Sequence, residues 1–276
     1  MLVNLNHAIK GMAQRDCAIP GFNVFGYEDA ISVVRAAEEL HAPVILMTNK
    51  VAVEYMPVRI LGKLLCSIAE EAKVPVCVHL DHATSMEIIV QSIQAGFTSV
   101  MYDGSQLSLE ENINNTREIV RMAHACGVSV EAEIGAVGYN DPNIKVKAVY
   151  TEPKEAKIFA EETGVDALAV AVGTLHRMEV QNATIQYDRL EAIQKEVEIP
   201  LVIHGSTGIT DEDLRRLITY KVAKVNIGTA LRMVFGRTLR EEIENNPKEF
   251  DRTNLFKMPM IKVQEEAKKK MSILGL

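Results

Sequence analysis

Short apolar runs rich in β-branched residues alternate with longer segments of helical period along the whole 276-residue chain, and this alternation restricts the fold more than any other feature. It is the pattern of βαβ units in a parallel sheet. Eight strand-like runs can be counted: AIPGFNV (18–24), PVILMTN (43–49), PVCVHLD (75–81), SVMYDG (99–104), SVEAEIG (129–135), ALAVAVG (167–173), PLVIHG (200–205) and AKVNIGT (223–229). A helical stretch follows each. Most runs are almost continuously apolar, as strands covered on both faces must be, and the charge falls between them, for example in TDEDLRRLITY (210–220). Eight units favour closure into an α/β (β/α)8 TIM barrel over a doubly wound open sheet. No GxGxxG follows the first strand, where a dinucleotide fold carries its phosphate loop. The length suits one such barrel, so a single domain over residues 1–276 is expected, with MPMIKVQEEAKKKMSIL as a C-terminal helical extension packed on it.

Composition excludes several classes. A net charge of -7 with no basic stripe and no Trp argues against a binder of duplex nucleic acid, which needs clustered Lys and Arg. No segment approaches twenty uninterrupted apolar residues, and the N-terminus MLVNLNHAIKGMAQRD is amphipathic, so no membrane association and a cytoplasmic location are expected. The four cysteines, Cys17, Cys66, Cys77 and Cys126, form no CxxC pair and read as reduced structural thiols.

A barrel places its chemistry at the C-terminal ends of the strands, and there the polar residues crowd. Strand three ends in His79, Asp81 and His82, strand four in Asp103, and strand five in Glu131 and Glu133. Strand six runs on to His176, strand seven ends in His204, and strand eight carries Asn226. A lone strand histidine is usually a hydrogen-bonded core residue, but several at one end of three strands are not explained that way. Neutral imidazoles from different strands suit a catalytic Zn2+, because three protein ligands leave a position open for substrate. His82, His176 and His204 can meet in this way. Alternation along a regular strand would turn Asp81 away from its neighbour His82, as a proton donor or acceptor beside the metal or as a carboxylate orienting a ligand imidazole. Asp103 and Glu133 either orient ligands or hold an auxiliary cation, and His79 is expected to be structural or to support a ligand from behind. Gly205, Ser206 and Thr207, with Asn226, Gly228 and Thr229 on the next strand, resemble a phosphate cradle, and barrels commonly bind phosphate after strands seven and eight.

Taken together, PGFNV, HLDHA, GFTSVMYDGS, VSVEAEIG, DALAVAVGTLH, IPLVIHGSTG and KVNIGT resemble the class II, zinc-dependent ketose-bisphosphate aldolases, the family of fructose- and tagatose-bisphosphate aldolases, over nearly the whole chain. The resemblance implies reversible aldol cleavage of a ketose (bis)phosphate to dihydroxyacetone phosphate plus an aldehyde. It implies zinc ligands at His82, His176 and His204, a catalytic aspartate at Asp81, and second-cation carboxylates at Asp103 and Glu133. Contacts to dihydroxyacetone phosphate would come from Asn23, Gly205, Thr207, Asn226 and Thr229, and the protein would be a homodimer or homotetramer. A Schiff-base aldolase would need a lysine at a strand's C-terminal end. Lys73 and Lys224 instead stand at the starts of strands three and eight.

Four departures from the family pattern bear on substrate more than on reaction type. Arg177 stands where the family usually has Gly after the second zinc histidine. In the loop GAVGYNDPN, Asp141 occupies by counting the place of the glutamate that shuttles the C3 proton. MPMIKV lacks the arginine that serves the distal phosphate, leaving Lys262 or Arg252 as substitutes or a substrate without that phosphate. Gly228 replaces the Asp usual in fructose-bisphosphate aldolases. A substrate such as 5-dehydro-2-deoxygluconate 6-phosphate is therefore an alternative. Two others are a metal-dependent sugar-phosphate isomerase or epimerase on the same barrel and a non-catalytic binding protein.

Overall fold

A computed structural model describes residues 1–140 and 146–276. Eight parallel strands form a closed ring: β1 Ile19–Asn23, β2 Val44–Thr48, β3 Val76–Ala83, β4 Ser99–Tyr102, β5 Ser129–Ile134, β6 Ala167–Val170, β7 Leu201–Ile203 and β8 Val222–Ile227. Each pairs with its sequence neighbours, and β8 pairs with β1 to close the barrel. This is the TIM barrel expected from the alternation, although β6 and β7 end earlier than their apolar runs do.

The outer helices are α1 Tyr27–Glu39, α2 Val58–Glu71, α3 Met86–Ala95, α4 Leu109–Ala125, α5 Pro153–Thr163, α6 Tyr187–Glu196, α7 Asp211–Leu217, α8 Thr229–Asn245 and the C-terminal α9 Lys257–Ile273. Their caps are written in the sequence. Ser108 and Glu111 form a capping box at the start of α4, and Thr210 caps α7 by accepting the Asp213 N–H. The helix α9 packs across α8 and α1 and buries Val263, Ala267 and Met271. No helix among the described residues is long and apolar enough to cross a membrane.

Two apolar layers surround the strands. The larger lies between strands and helices, built on residues such as Phe22, Leu46, Val78 and Phe159. The smaller fills the lower barrel with Ile19, Ile45, Met47, Cys77 and Met101, and is closed from below by Leu5, Ile9 and Met12 of the N-terminal segment. Packing the bottom with side chains confines polar interior groups to the upper half, where the strands end.

Candidate active site

The top of the barrel gathers residues from seven of the eight strands. Within β3 the pairing to β4 shifts between Leu80 and Ala83, and His82 takes a left-handed backbone with φ 52°. This irregularity overrides the alternation expected of a regular strand, as a bulge does. Asp81 and His82 therefore face the same space, with His82 Nε2 4.0 Å from Asp81 Oδ1. His176 arrives on a short strand, Leu175–His176, which runs parallel to Gly138–Tyr139 above the barrel, and its ring stacks at 4.7 Å on Tyr139.

His204 follows β7 and is succeeded by Gly205 at φ 68°, where an added Cβ would lie 2.6 Å from the Leu175 carbonyl oxygen. Only glycine lets these two backbones approach so closely, and the approach carries His204 toward His176.

The three rings meet edge to face. Ring centroids are 4.9 Å apart for His82 and His176, and 4.6 Å for His82 and His204. One nitrogen from each ring lies within 4.8 Å of the others, and His204 Nδ1 and His82 Nε2 are 2.8 Å apart. Carboxylates hold the far edges of two rings: His82 Nδ1 contacts Asp103 Oδ2 at 2.8 Å, and His204 Nε2 contacts Glu131 Oε1 at 2.9 Å. Asp81 is gripped from two sides, since Asn23 Nδ2 donates to one oxygen and Asn226 Nδ2 to the other, each at 3.1 Å.

A cavity of about 450 Å³ opens over this cluster. Its floor is Asp81, His82, His176 and Asn226. One wall is Gly205, Ser206, Thr207, Gly228 and Thr229, and its rim carries Lys50, Glu54, Arg177 and Arg232.

The sequence model described as "Fructose-bisphosphate aldolase class-II" matches residues 3–276. The chain belongs to the class II fructose-bisphosphate aldolase family. It is 36% identical to the fructose-bisphosphate aldolase of Thermus caldophilus, over all of this chain and 98% of that one. The crystal structure of the YdjI aldolase from Escherichia coli K12 superposes with a TM-score of 0.87 at 33% identity, covering 100% of this chain and 98% of the other. A structure from Coccidioides immitis gives a TM-score of 0.90 at 29% identity, covering 99% and 96%. The protein is thus an aldolase, a carbon–carbon lyase of a metal-dependent family.

The cluster of this aldolase suits a divalent metal. Facing imidazole nitrogens are a donor set, and the buried Glu133 Oε2 finds no hydrogen-bond partner among the described residues. Burial, with the neighbouring His82 and His204, holds His176 well below the usual imidazole range, and burial beside His82 does the same to His204. Both are thereby neutral and able to ligate.

His82 is the exception. Burial opposes its charge, but the carboxylates of Asp81, Asp103 and Glu133 outweigh burial and push its pKa up to about 10. Burial and the Asp103 charge push Glu133 up to about 8. A metal must displace the His82 proton, so raising the pH favours binding. Divalent-metal affinity is expected to rise by roughly tenfold per pH unit between pH 6 and 8, with about one proton released from His82, and more if Glu133 also deprotonates. Chelator competition at several pH values checks this, and an affinity independent of pH would contradict it.

Some sequence assignments shift. Lys262 is paired to Glu265 and Arg252 to Glu28, and neither lines the cavity, so neither serves as the substitute for the missing arginine. Asp141 lies outside the described residues. His79 is wholly buried, and its Nδ1 sits 2.8 Å from Ser99 Oγ. Sequence reasoning missed Arg232, in the first turn of α8, and Lys50, on a short helix Lys50–Tyr55. Arg232 follows Thr229 by one helical turn and its Nη2 donates to the Thr229 hydroxyl, a spacing that could have drawn attention to it.

Proposed function

We propose that this aldolase cleaves a ketose 1-phosphate that bears a second anionic group at its far end, as fructose 1,6-bisphosphate and tagatose 1,6-bisphosphate do, with one zinc ion held by His82, His176 and His204. The observation that carries the reading is the convergence of three imidazoles from three strand ends beside a carboxylate fixed by two amides. Zinc bound there would supply Lewis-acid polarisation of the substrate carbonyl and stabilise the negative charge left when the C3–C4 bond breaks.

The chain's own residues do the rest. Asp81 takes the proton of the C4 hydroxyl during cleavage and returns it during condensation. With both oxygens held by Asn23 and Asn226, the carboxylate cannot swing out of reach. Asp141 serves the C3 proton in this reading, and Glu133 is available for a second cation. The C1 phosphate lies against Gly205, Ser206 and Thr207 and at the start of α8, whose first N–H groups and dipole favour an anion at Gly228 and Thr229.

Arg232 lines the same cavity, as do Arg177 and Lys50, the last of these paired with Glu54 at 3.7 Å. Arg177 holds a left-handed backbone, φ 58°, at the position where the family usually has Gly. A distal anion thus has partners without the arginine missing from MPMIKV. Arg232→Met is expected to lower kcat/KM for a bisphosphate by roughly 10- to 100-fold, the worth of a charge-assisted hydrogen bond, and to lower it less for a ketose 1-phosphate, which loses only the Arg232 contact to the Thr229 hydroxyl. Assembly as a homodimer or homotetramer belongs to the same proposal, and the exposed Phe250, Met258 and Ile261 near the C-terminus are consistent with it.

The test is a panel of ketose 1-phosphates, 1,6-bisphosphates and sugar-acid phosphates incubated with zinc-loaded protein, with dihydroxyacetone phosphate detected by a coupled NADH-consuming enzyme. Release from substrates with a distal anion, at higher kcat/KM than from those without, is the expected result. Equal turnover of the unadorned 1-phosphates would remove the distal subsite. Conversion with carbon number conserved would point to an isomerase or epimerase.

A further inference from the structure

Beneath the histidine cluster lies an ion pair with no access to substrate or solvent. Lys224, on β8, is 0% exposed, and its Nζ donates to Glu131 Oε2 at 2.7 Å. Glu131, on β5, is also 0% exposed, and its other oxygen, Oε1, stands 2.9 Å from His204 Nε2. The chain Lys224–Glu131–His204 spans the barrel and ends at Nδ1 of His204, 2.8 Å from His82 Nε2. We propose that Lys224 is a positioning residue for the metal-binding histidine His204, acting through Glu131 to fix which ring nitrogen carries the proton. The inference rests on the reading that His204 is a metal ligand.

A buried ammonium is tolerated only with an ionised partner, because an unpaired charge in a barrel interior costs several kcal/mol, so Lys224 and Glu131 are charged together. An ionised carboxylate accepts and cannot donate. The hydrogen between Glu131 Oε1 and His204 Nε2 therefore sits on Nε2, and Nδ1 keeps its lone pair, aimed where the nitrogens of His82 and His176 converge. The neighbours agree with this assignment. Asn226 Nδ2 lies 3.2 Å from the same Nε2, but a protonated Nε2 cannot accept, and the amide donates to Asp81 instead. His79 Nε2, 3.7 Å from Glu131 Oε2, is too distant to replace the lysine.

Burying two charges is rarely the cheapest way to fill a core, since apolar residues of similar volume often serve as well or better. A role in orienting a metal-binding imidazole accounts for the pair's retention, as carboxylates behind such imidazoles commonly do. Without the ammonium, Glu131 Oε2 loses its hydrogen-bond donor, and the carboxylate loses the contact that fixes it against His204 Nε2.

The test compares Lys224→Met, Glu131→Gln, the double variant and His204→Ala in the full chain. Zinc affinity is measured by chelator competition, and the visible spectrum of the cobalt-loaded protein reports the ligand field. The expected result is a zinc affinity about 10- to 100-fold weaker in Lys224→Met, with an altered cobalt spectrum and an unchanged far-ultraviolet circular dichroism spectrum. Glu131→Gln should behave alike, and the double variant should lose no more than the singles, because the lysine acts through the glutamate. Wild-type zinc affinity and cobalt spectrum in a folded Lys224→Met protein would overturn the proposal, as would losses that add in the double variant. Should Lys224→Met fail to fold, Lys224→Gln, which removes the charge and keeps a polar end, decides by the same affinity: weakened supports the proposal and wild-type overturns it. His204→Ala separates the two levels. If it binds zinc normally, the metal-site reading fails, whereas if it loses zinc while Lys224→Met does not, only the positioning role fails.

Discussion

Replacing His204 with alanine is expected to lower kcat/KM by roughly 10³-fold or more, because the polarisation supplied by a correctly held zinc ion is worth several kcal/mol and each 1.36 kcal/mol is tenfold in rate. The loss should be accompanied by loss of zinc. His204 Nδ1 lies 2.8 Å from His82 Nε2 and faces the other two imidazoles, so its removal takes one of the three nitrogen donors from the cluster. Metal analysis after gel filtration, alongside steady-state kinetics at saturating zinc, checks both effects. Retention of one tightly held zinc with near-normal turnover would exclude His204 from the metal site.

The second large effect is expected at Asp81. Asp81→Asn should reduce kcat by roughly 10²- to 10⁴-fold, the usual contribution of a positioned proton-transfer group, with KM little changed and zinc retained. Both carboxylate oxygens accept an amide hydrogen, from Asn23 and Asn226, so an asparagine must set its own NH2 against one of these donors. Asp81→Ala should lose a comparable amount, because neither side chain can accept the C4 hydroxyl proton. A fall in zinc content equal to the fall in rate would instead make Asp81 a metal ligand, and rates within tenfold of wild type would remove it from proton transfer.

The architecture was legible because barrel strands are buried on both faces and so write themselves as apolar runs, while each helix carries the charge. The ends of the strands also gave away His82, His176 and His204, because a polar residue terminating such a run stands out. What the sequence could not show was local irregularity. The relation between Asp81 and His82 depends on a bulge in β3, and alternation predicted the opposite orientation. His176 sits beyond β6 on a strand of two residues that exists only through its pairing with Gly138–Tyr139. Lys224 was placed correctly at the start of a strand, yet its side chain rises through the barrel interior to Glu131, a reach that residue spacing does not reveal. Arg232 and Lys50 were hidden because helix-borne arginines and lysines are ordinarily surface charges, and only the closed barrel turns these toward the cavity.

The central claim is that carbon–carbon cleavage here depends on one metal ion held by three histidines and needs no covalent adduct with the chain. It is tested most directly by stripping the protein with a chelator and titrating zinc back while following dihydroxyacetone phosphate release from fructose 1,6-bisphosphate or the preferred substrate of the panel, with borohydride added to a parallel sample. The account predicts that turnover vanishes on chelation, returns in proportion to zinc up to one equivalent per chain, and that borohydride fixes no substrate carbon to the chain. Turnover that survives chelation, or a substrate carbon skeleton trapped on a lysine by borohydride, would contradict it.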